Sequence, residues 1–179
     1  MLLAKTKWNS GEMFIVFDKA LEIVLQQEGK YSNDPKDPGG ETMYGITISV
    51  ARQFGYTGEM RDMPMDMAKT IYKDLYWNPC KCNDLPWPFS LYVFDSAVNQ
   101  GVSAAVKMLQ KALDVPQDGI MGRNTLAKAM NSTPWHWAKF MAYRAQRYMG
   151  TRNYDRYGTG WLTRLFMVAE NYEPNERDK

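Results

Sequence analysis

Glu28-Gly29-Lys30-Tyr31-Ser32-Asn33-Asp34-Pro35-Lys36-Asp37-Pro38-Gly39-Gly40-Glu41-Thr42-Met43-Tyr44-Gly45-Ile46-Thr47 is the stretch on which the reading of this chain turns. It begins where an apolar helical pattern stops. Upstream, Phe14, Phe17, Leu21, Val24 and Glu28 recur at steps of three and four, so they share one face of a helix. Glu28 is then expected to leave the helix end on the side that enters the core. Gly29 is read as the stop, because glycine takes the left-handed cap conformation without steric cost. A carboxylate at a helix C-terminus meets the negative end of the macrodipole, and partial burial disfavours its charge. Both effects are expected to raise its pKa, as a general acid near neutral pH requires. The alternative is a surface glutamate that merely ends a helix.

The residues that follow favour chemistry over that alternative. Asp34-Pro35 and Asp37-Pro38-Gly39-Gly40 are turn signals. Glu41 to Tyr44 and Ile46 to Ile48 read as short strands of a hairpin or small sheet, a flap able to hold Asp37 and Thr42 against the helix end. Acid-assisted cleavage of a glycosidic bond needs two groups flanking the bond, one to protonate the leaving oxygen and one to stabilise the cation or activate water. Glu28 suits the first role. Asp37, with the Thr42 hydroxyl to position water, suits the second. Tyr31 and Tyr44 offer flat faces to sugar rings. The competing reading is a polar loop in which Asp37 is an Asx-turn residue.

The remainder reads as helices, giving a mainly α fold. One starts at Thr47 or Ser49 and runs through Phe54 to Gly55. Pro64 suits a first helical position, with Met65, Ala68, Ile71, Tyr72 and Leu75 as an apolar face up to Asn78-Pro79. A strongly apolar helix spans about Phe89 to Asn99. Asn99 and Gln100 at its end are candidate glycan ligands, although polar residues ending a helix also cap it or face solvent. Ser103 is placed to cap a helix to Leu113, and Asn124 or Thr125 to start a short one. Thr133-Pro134 starts a long helix through Met149, and a last helix covers about Gly160 to Tyr172. The tail, 173–179, is charged and expected to fray.

Composition bounds the function. The chain has 179 residues, enough for one domain with a core. Its net charge of +2 is too small to argue for nucleic acid. No apolar run approaches the roughly 18 residues of a membrane span, and no export signal is legible at the N-terminus. Synthesis in a cytoplasm is expected, with access to an external substrate only after the membrane is permeabilised. Cys80 and Cys82 are separated by one residue and read as free thiols, since a bridge between them closes a strained loop. With a single histidine, His136, zinc chemistry is disfavoured. His136 reads as a helix residue rather than a cysteine's partner. No cofactor or metal is called for.

Glu28-Gly29-x-Tyr31 followed by Pro35-x-Asp37-x-Gly39-Gly40-x-Thr42-x-x-Gly45-Ile46-Thr47 resembles the opening signature of the glycoside hydrolase family 108 muramidases, many of them phage endolysins. Lys30 stands where usual members have a second glycine. The Glu, Asp, Thr order is also similar to the catalytic triad of T4-type phage lysozymes. Phe94-Asp95-Ser96-Ala97-Val98-Asn99-Gln100-Gly101, Leu109 to Leu113, and Asp118-Gly119-x-x-Gly122-x-x-Thr125-Leu126 resemble the family's second half and peptidoglycan-binding helical modules. Tyr154, Gly160-Trp161-Leu162 and Arg164 resemble its closing segment. The resemblance implies a lysozyme-like, two-lobed helical fold in one domain, 1–179. A catalytic lobe would span about 13–85 and a peptidoglycan-binding-like lobe about 86–172. It implies a cofactor-free monomer that cleaves the β-1,4 bond between N-acetylmuramic acid and N-acetylglucosamine, with Glu28, Asp37 and Thr42 catalytic and Tyr31, Tyr44, Asn99 and Gln100 on the glycan. Bacterial peptidoglycan is the implied partner, with no nucleic acid and no stable membrane insertion, and the implied role is lysis of a host cell. A lytic transglycosylase and a silent wall-binding or tail-structural protein are the alternatives.

Overall fold

The apolar face read from Phe17, Leu21 and Val24 is buried on the first helix, α1 (Ser10–Leu25). The structure is a computed structural model that describes residues 10–33 and 39–172. The Phe14 side chain, Asp37 and the tail lie outside the described residues. Helix α1 ends at Leu25. The chain then descends through turns in which the Gln27 and Glu28 N–H groups donate to the Val24 and Leu25 carbonyls, at 3.1 and 3.2 Å. Gly29 is not left-handed, which corrects its reading as the cap: tightening of the last turn, rather than a glycine, satisfies the helix end.

A three-stranded antiparallel sheet follows. It comprises β1 (Tyr31–Ser32), β2 (Thr42–Met43) and β3 (Ile46–Thr47), in the order β1-β2-β3. Tyr31 faces Met43 across the first pair, and Met43 faces Ile46 across the second. The two-residue connection Tyr44-Gly45 has φ of 53° and 73°. Positive φ at both central positions is the hairpin turn whose twist matches that of the strands. Met43 and Ile46 are buried, so one edge of this flap is pinned to the core.

Helix α2 (Ile48–Gln53) is capped by Thr47, whose side chain accepts from the Val50 N–H at 3.4 Å. Helix α3 (Met65–Tyr72) continues into a π-helical turn, Lys73–Trp77. Pro64 is the N-cap rather than the first helical residue. Helix α4 (Phe89–Gln100) is buried over every residue from Phe89 to Ala97, as expected of a helix apolar on all sides. Helices α5 (Val102–Ala112), α6 (Arg123–Met130), α7 (Pro134–Met149) and α8 (Tyr154–Ala169) complete the order.

Three boundaries, and the role of one histidine, differ from those read in the sequence. Helix α5 starts after Gly101, at φ 90°, ahead of Ser103. Helix α6 starts after Gly122, ahead of Asn124. His136 is more than an ordinary helix residue: its Nδ1 accepts from the Thr133 N–H at 3.1 Å and completes the capping box of α7. Helix α8 begins at Tyr154, earlier than Gly160, and includes Gly158 and Gly160. At Gly158 an added Cβ would lie 2.6 Å from the Tyr154 ring, so close packing sets that glycine.

Ring packing fixes α1 over α4, and a buried carboxylate fixes the later helices. The rings of Phe17, Trp77 and Phe94 meet pairwise at 5.2 to 6.0 Å, edge-to-face or tilted geometries that add to area burial. Helix α4 also carries a fully buried aspartate, Asp95. Its Oδ2 accepts from Arg144 Nη2 at 2.6 Å, and both side chains are 0% exposed. Its Oδ1 accepts from Arg164 Nε and Nη2 at 3.0 and 2.7 Å. Helices α7 and α8 are thus tied to α4 by one carboxylate.

Removing one partner of a buried ion pair leaves uncompensated charge, at a cost of about 3–5 kcal/mol. Asp95→Ala is expected to lower the urea-unfolding free energy by that amount. A loss below about 1 kcal/mol would show that the two guanidiniums find other partners.

Candidate active site

Arg164 brings the two ends of the chain together. While Nε and Nη2 hold Asp95, Nη1 donates to Glu28 Oε1 at 2.6 Å. Glu28 is 23% exposed and Arg164 11%. Burial alone would pull the Arg164 pKa down, but the charges of Asp95 and Glu28 outweigh it and hold the guanidinium above its ordinary value. The fork geometry of arginine suits this double duty, because its donors are fixed in one plane. Glu28 is therefore pinned from α8 as well as placed by α1.

The flap closes on the same carboxylate. An added Cβ on Gly45 would lie 2.9 Å from both Glu28 Oε2 and the Tyr72 hydroxyl. Gly45 is thus required twice, by its φ and by this approach. Tyr72 donates to the Tyr44 carbonyl at 2.8 Å, locking the hairpin tip to α3. Burial first, and the nearby Glu28 charge second, push the Tyr72 and Tyr76 hydroxyls up. Both phenols stay neutral and keep their protons for donation. Tyr76 lies in the π-helical turn, a geometry often found at functional sites.

Glu28 lines a half-open cleft of ≈ 500 Å³ together with Leu21 and Leu25 of α1, Tyr44 of the flap, Met65 of α3, and Lys30. That volume is in the range of small-molecule sites, which are commonly apolar with a few polar groups. The cleft joins a carboxylic side chain to an aromatic face and an apolar wall. Such a combination suits a sugar-sized ligand presented to a proton donor.

The residues named from the sequence fall into three groups. Glu28 and Tyr44 meet at the cleft. Tyr31 is exposed on β1, donates to Glu41 Oε1 at 2.7 Å and lies beneath the Arg61 guanidinium at 5.2 Å. Thr42 sits on β2, its hydroxyl donating to the Gly40 carbonyl at 3.1 Å. Asn99 is exposed at the end of α4, its amide donating to the Asp95 carbonyl at 2.8 Å. The Gln100 amide donates to the Arg144 carbonyl at 3.4 Å and its oxygen accepts from Ser96. Asn99 and Gln100 therefore bind their own helix and its neighbour.

The sequence reading assigned no role to Asp95, Arg144 or Arg164 in placing Glu28, nor to Tyr72. One signal was available: Asp95 interrupts an otherwise apolar run, and a buried aspartate demands paired cations. Cys80 and Cys82 are free and fully buried. Burial, and the hydrogen bond with Cys80, push the Cys82 thiol well up, and His136 is committed to its cap, so neither thiol is set up as a nucleophile. Among the described residues no group of three or more His, Cys, Asp or Glu could hold a metal ion. No helix among them is long and apolar enough to cross a membrane.

A family model described as Glycosyl hydrolase 108 matches residues 21–101. The solved structure of Brucella abortus SagA is similar at a TM-score of 0.76 and 32% identity, covering 88% of this chain and 93% of that one. No curated protein matches the chain.

Gly45→Ala is expected to cost about 1–2 kcal/mol from the left-handed backbone. A crystal structure of the variant should show Glu28 displaced from Arg164. A variant of parental stability with the ion pair intact would contradict the role given to this glycine.

Proposed function

The chain belongs to glycosyl hydrolase family 108, a peptidoglycan hydrolase of lysozyme-like, mainly α fold, and on that premise we propose that it is an N-acetylmuramidase. It hydrolyses the β-1,4 bond between N-acetylmuramic acid and N-acetylglucosamine in bacterial peptidoglycan. The observation that carries this reading is Glu28: a carboxyl held between Arg164, Gly45 and a sugar-sized cleft.

In the mechanism, Glu28 protonates the leaving glycosidic oxygen as the bond to the anomeric carbon breaks. Asp37, which lies outside the described residues, assists as nucleophile, electrostatic stabiliser or base. Thr42 positions water beside it. A carboxyl separation of about 6.5–9.5 Å goes with inversion, and about 5–5.5 Å with retention. Arg164 acts as a positioning residue: its anchor on Asp95 limits the arc through which Glu28 swings. The Tyr44 ring, and Tyr31 at the outer strand, hold sugar rings. Asn99 and Gln100 are better placed to set the end of α4 than to bind glycan. One catalytic unit is proposed for the whole chain, with about 13–85 supplying the acid and flap and about 86–172 supplying Asp95, Arg144 and Arg164. A lytic role, as in endolysins, rests on the resemblance of the opening signature.

Glu28→Gln is expected to reduce release of reducing ends from purified peptidoglycan by about a hundredfold to ten-thousandfold, with an unchanged far-UV spectrum. Full activity in the folded variant would remove Glu28 as the acid. Mass spectrometry of the released muropeptides should show hydrolysed ends. Products lighter by one water would instead identify a lytic transglycosylase, and no released product a silent wall binder.

Thr42→Ala is expected to lower kcat more than it raises KM, because a water-positioning hydroxyl acts in the transition state. Loss of folding without loss of specific activity in the folded fraction would make the hydroxyl a structural element of the flap.

A further inference from the structure

The charges along the Glu28 cleft are unequal in how they are satisfied. Lys69 of α3 and Asp18 of α1 neutralise each other at 2.8 Å. Glu28 is engaged by Arg164. Glu22 and Lys30, which also line the cleft, are both exposed and have no ion-pair partner among the described residues. The apolar side chains of Leu25 and Met65 line the same cleft. Among the described residues, the cleft therefore carries one anion and one cation without an ion-pair partner, together with aliphatic side chains.

A neutral glycan has no use for that pattern. Sugar hydroxyls and acetamides are met by hydrogen-bonding side chains and aromatic faces. Opposite charges in a cleft with aliphatic side chains match a zwitterionic peptide with small side chains. Peptidoglycan carries such a group: a short stem of alanines, a D-glutamate and a diamino acid, joined to the lactyl ether of the muramic ring. That ring is one partner of the scissile bond, so the stem emerges within about one ring's width of the proton donor.

We propose that the cleft along α1 is a subsite for the stem peptide, in which Lys30 takes a stem carboxylate and Glu22 the free amine of the diamino acid. The inference rests on the muramidase reading and adds a determinant of substrate choice. Lys30, placed two residues after the acid, makes the enzyme select strands that still bear their peptides. Leu25 and Met65 receive the alanine methyl groups.

Binding separates this proposal from the reaction. The full chain carrying Glu28→Gln is titrated calorimetrically with a muramyl tripeptide ending in a diamino acid, and with a chitin tetrasaccharide that has no peptide. The expected result is that adding Lys30→Gln or Glu22→Gln weakens the tripeptide about tenfold relative to the tetrasaccharide, the size of one lost charge contact. Equal weakening of both ligands, or a tripeptide that binds no better than muramic acid alone, would overturn the subsite. Both residues are exposed, so charge-neutralising changes there leave the core packing in place. With the Glu28-intact enzyme, peptide-bearing strands should be cleaved about tenfold faster than strands stripped by an amidase, and the Glu22→Gln, Lys30→Gln double variant should bring that ratio close to one. A ratio close to one in the parent would overturn the proposal while leaving the muramidase reading standing. Peptide-selective binding with no release of reducing ends would instead reject the muramidase reading and keep the subsite.

Discussion

A buried carboxylate on an apolar helix constrains the rest of this structure. Asp95 has no access to water, so its charge requires cations with good geometry. Arg144 satisfies one oxygen from α7, and Arg164 satisfies the other from α8. Arg164 has a donor left over, and that donor reaches Glu28. The electrostatic need of the core thereby sets the position of the Glu28 carboxyl in the cleft. Fold stability and site geometry share three side chains, so they are expected to fail together more often than separately.

The flap adds a second constraint of a different kind. Tyr44 and Gly45 both sit at positive φ, which tightens the hairpin until its tip touches the Glu28 carboxyl and the Tyr72 hydroxyl. Sterics from the flap and charge from α8 act on opposite oxygens of one side chain. A carboxyl restrained on both sides has the fixed orientation that the proposed proton donor needs, since oriented groups lower a barrier.

Much of this was legible in the sequence where local chemistry decides. The steps from Phe17 to Glu28 placed the acid at a helix end, the glycines and turn formers announced the flap, and Thr133-Pro134 marked the start of α7. What escaped was long-range. Nothing near Arg164 in sequence points to Glu28, 136 positions away. The hydrogen bonds of Asn99 and Gln100 to α4 and α7 also depend on packing, because polar residues at helix ends are ambiguous in sequence. The glycines of α8 read as a boundary because propensity penalises glycine in a helix, whereas the Tyr154 ring against Gly158 overrides it.

The most direct test of the account is the position of a glycan relative to residue 28. A crystal structure of the Glu28→Gln protein soaked with a muropeptide disaccharide oligomer would give the distance from its side-chain amide to the scissile glycosidic oxygen. The expected distance is about 3 Å, hydrogen-bond range for a proton donor, with Arg164 still on Asp95. A glycan seated elsewhere, with the scissile oxygen beyond reach of residue 28, would contradict it.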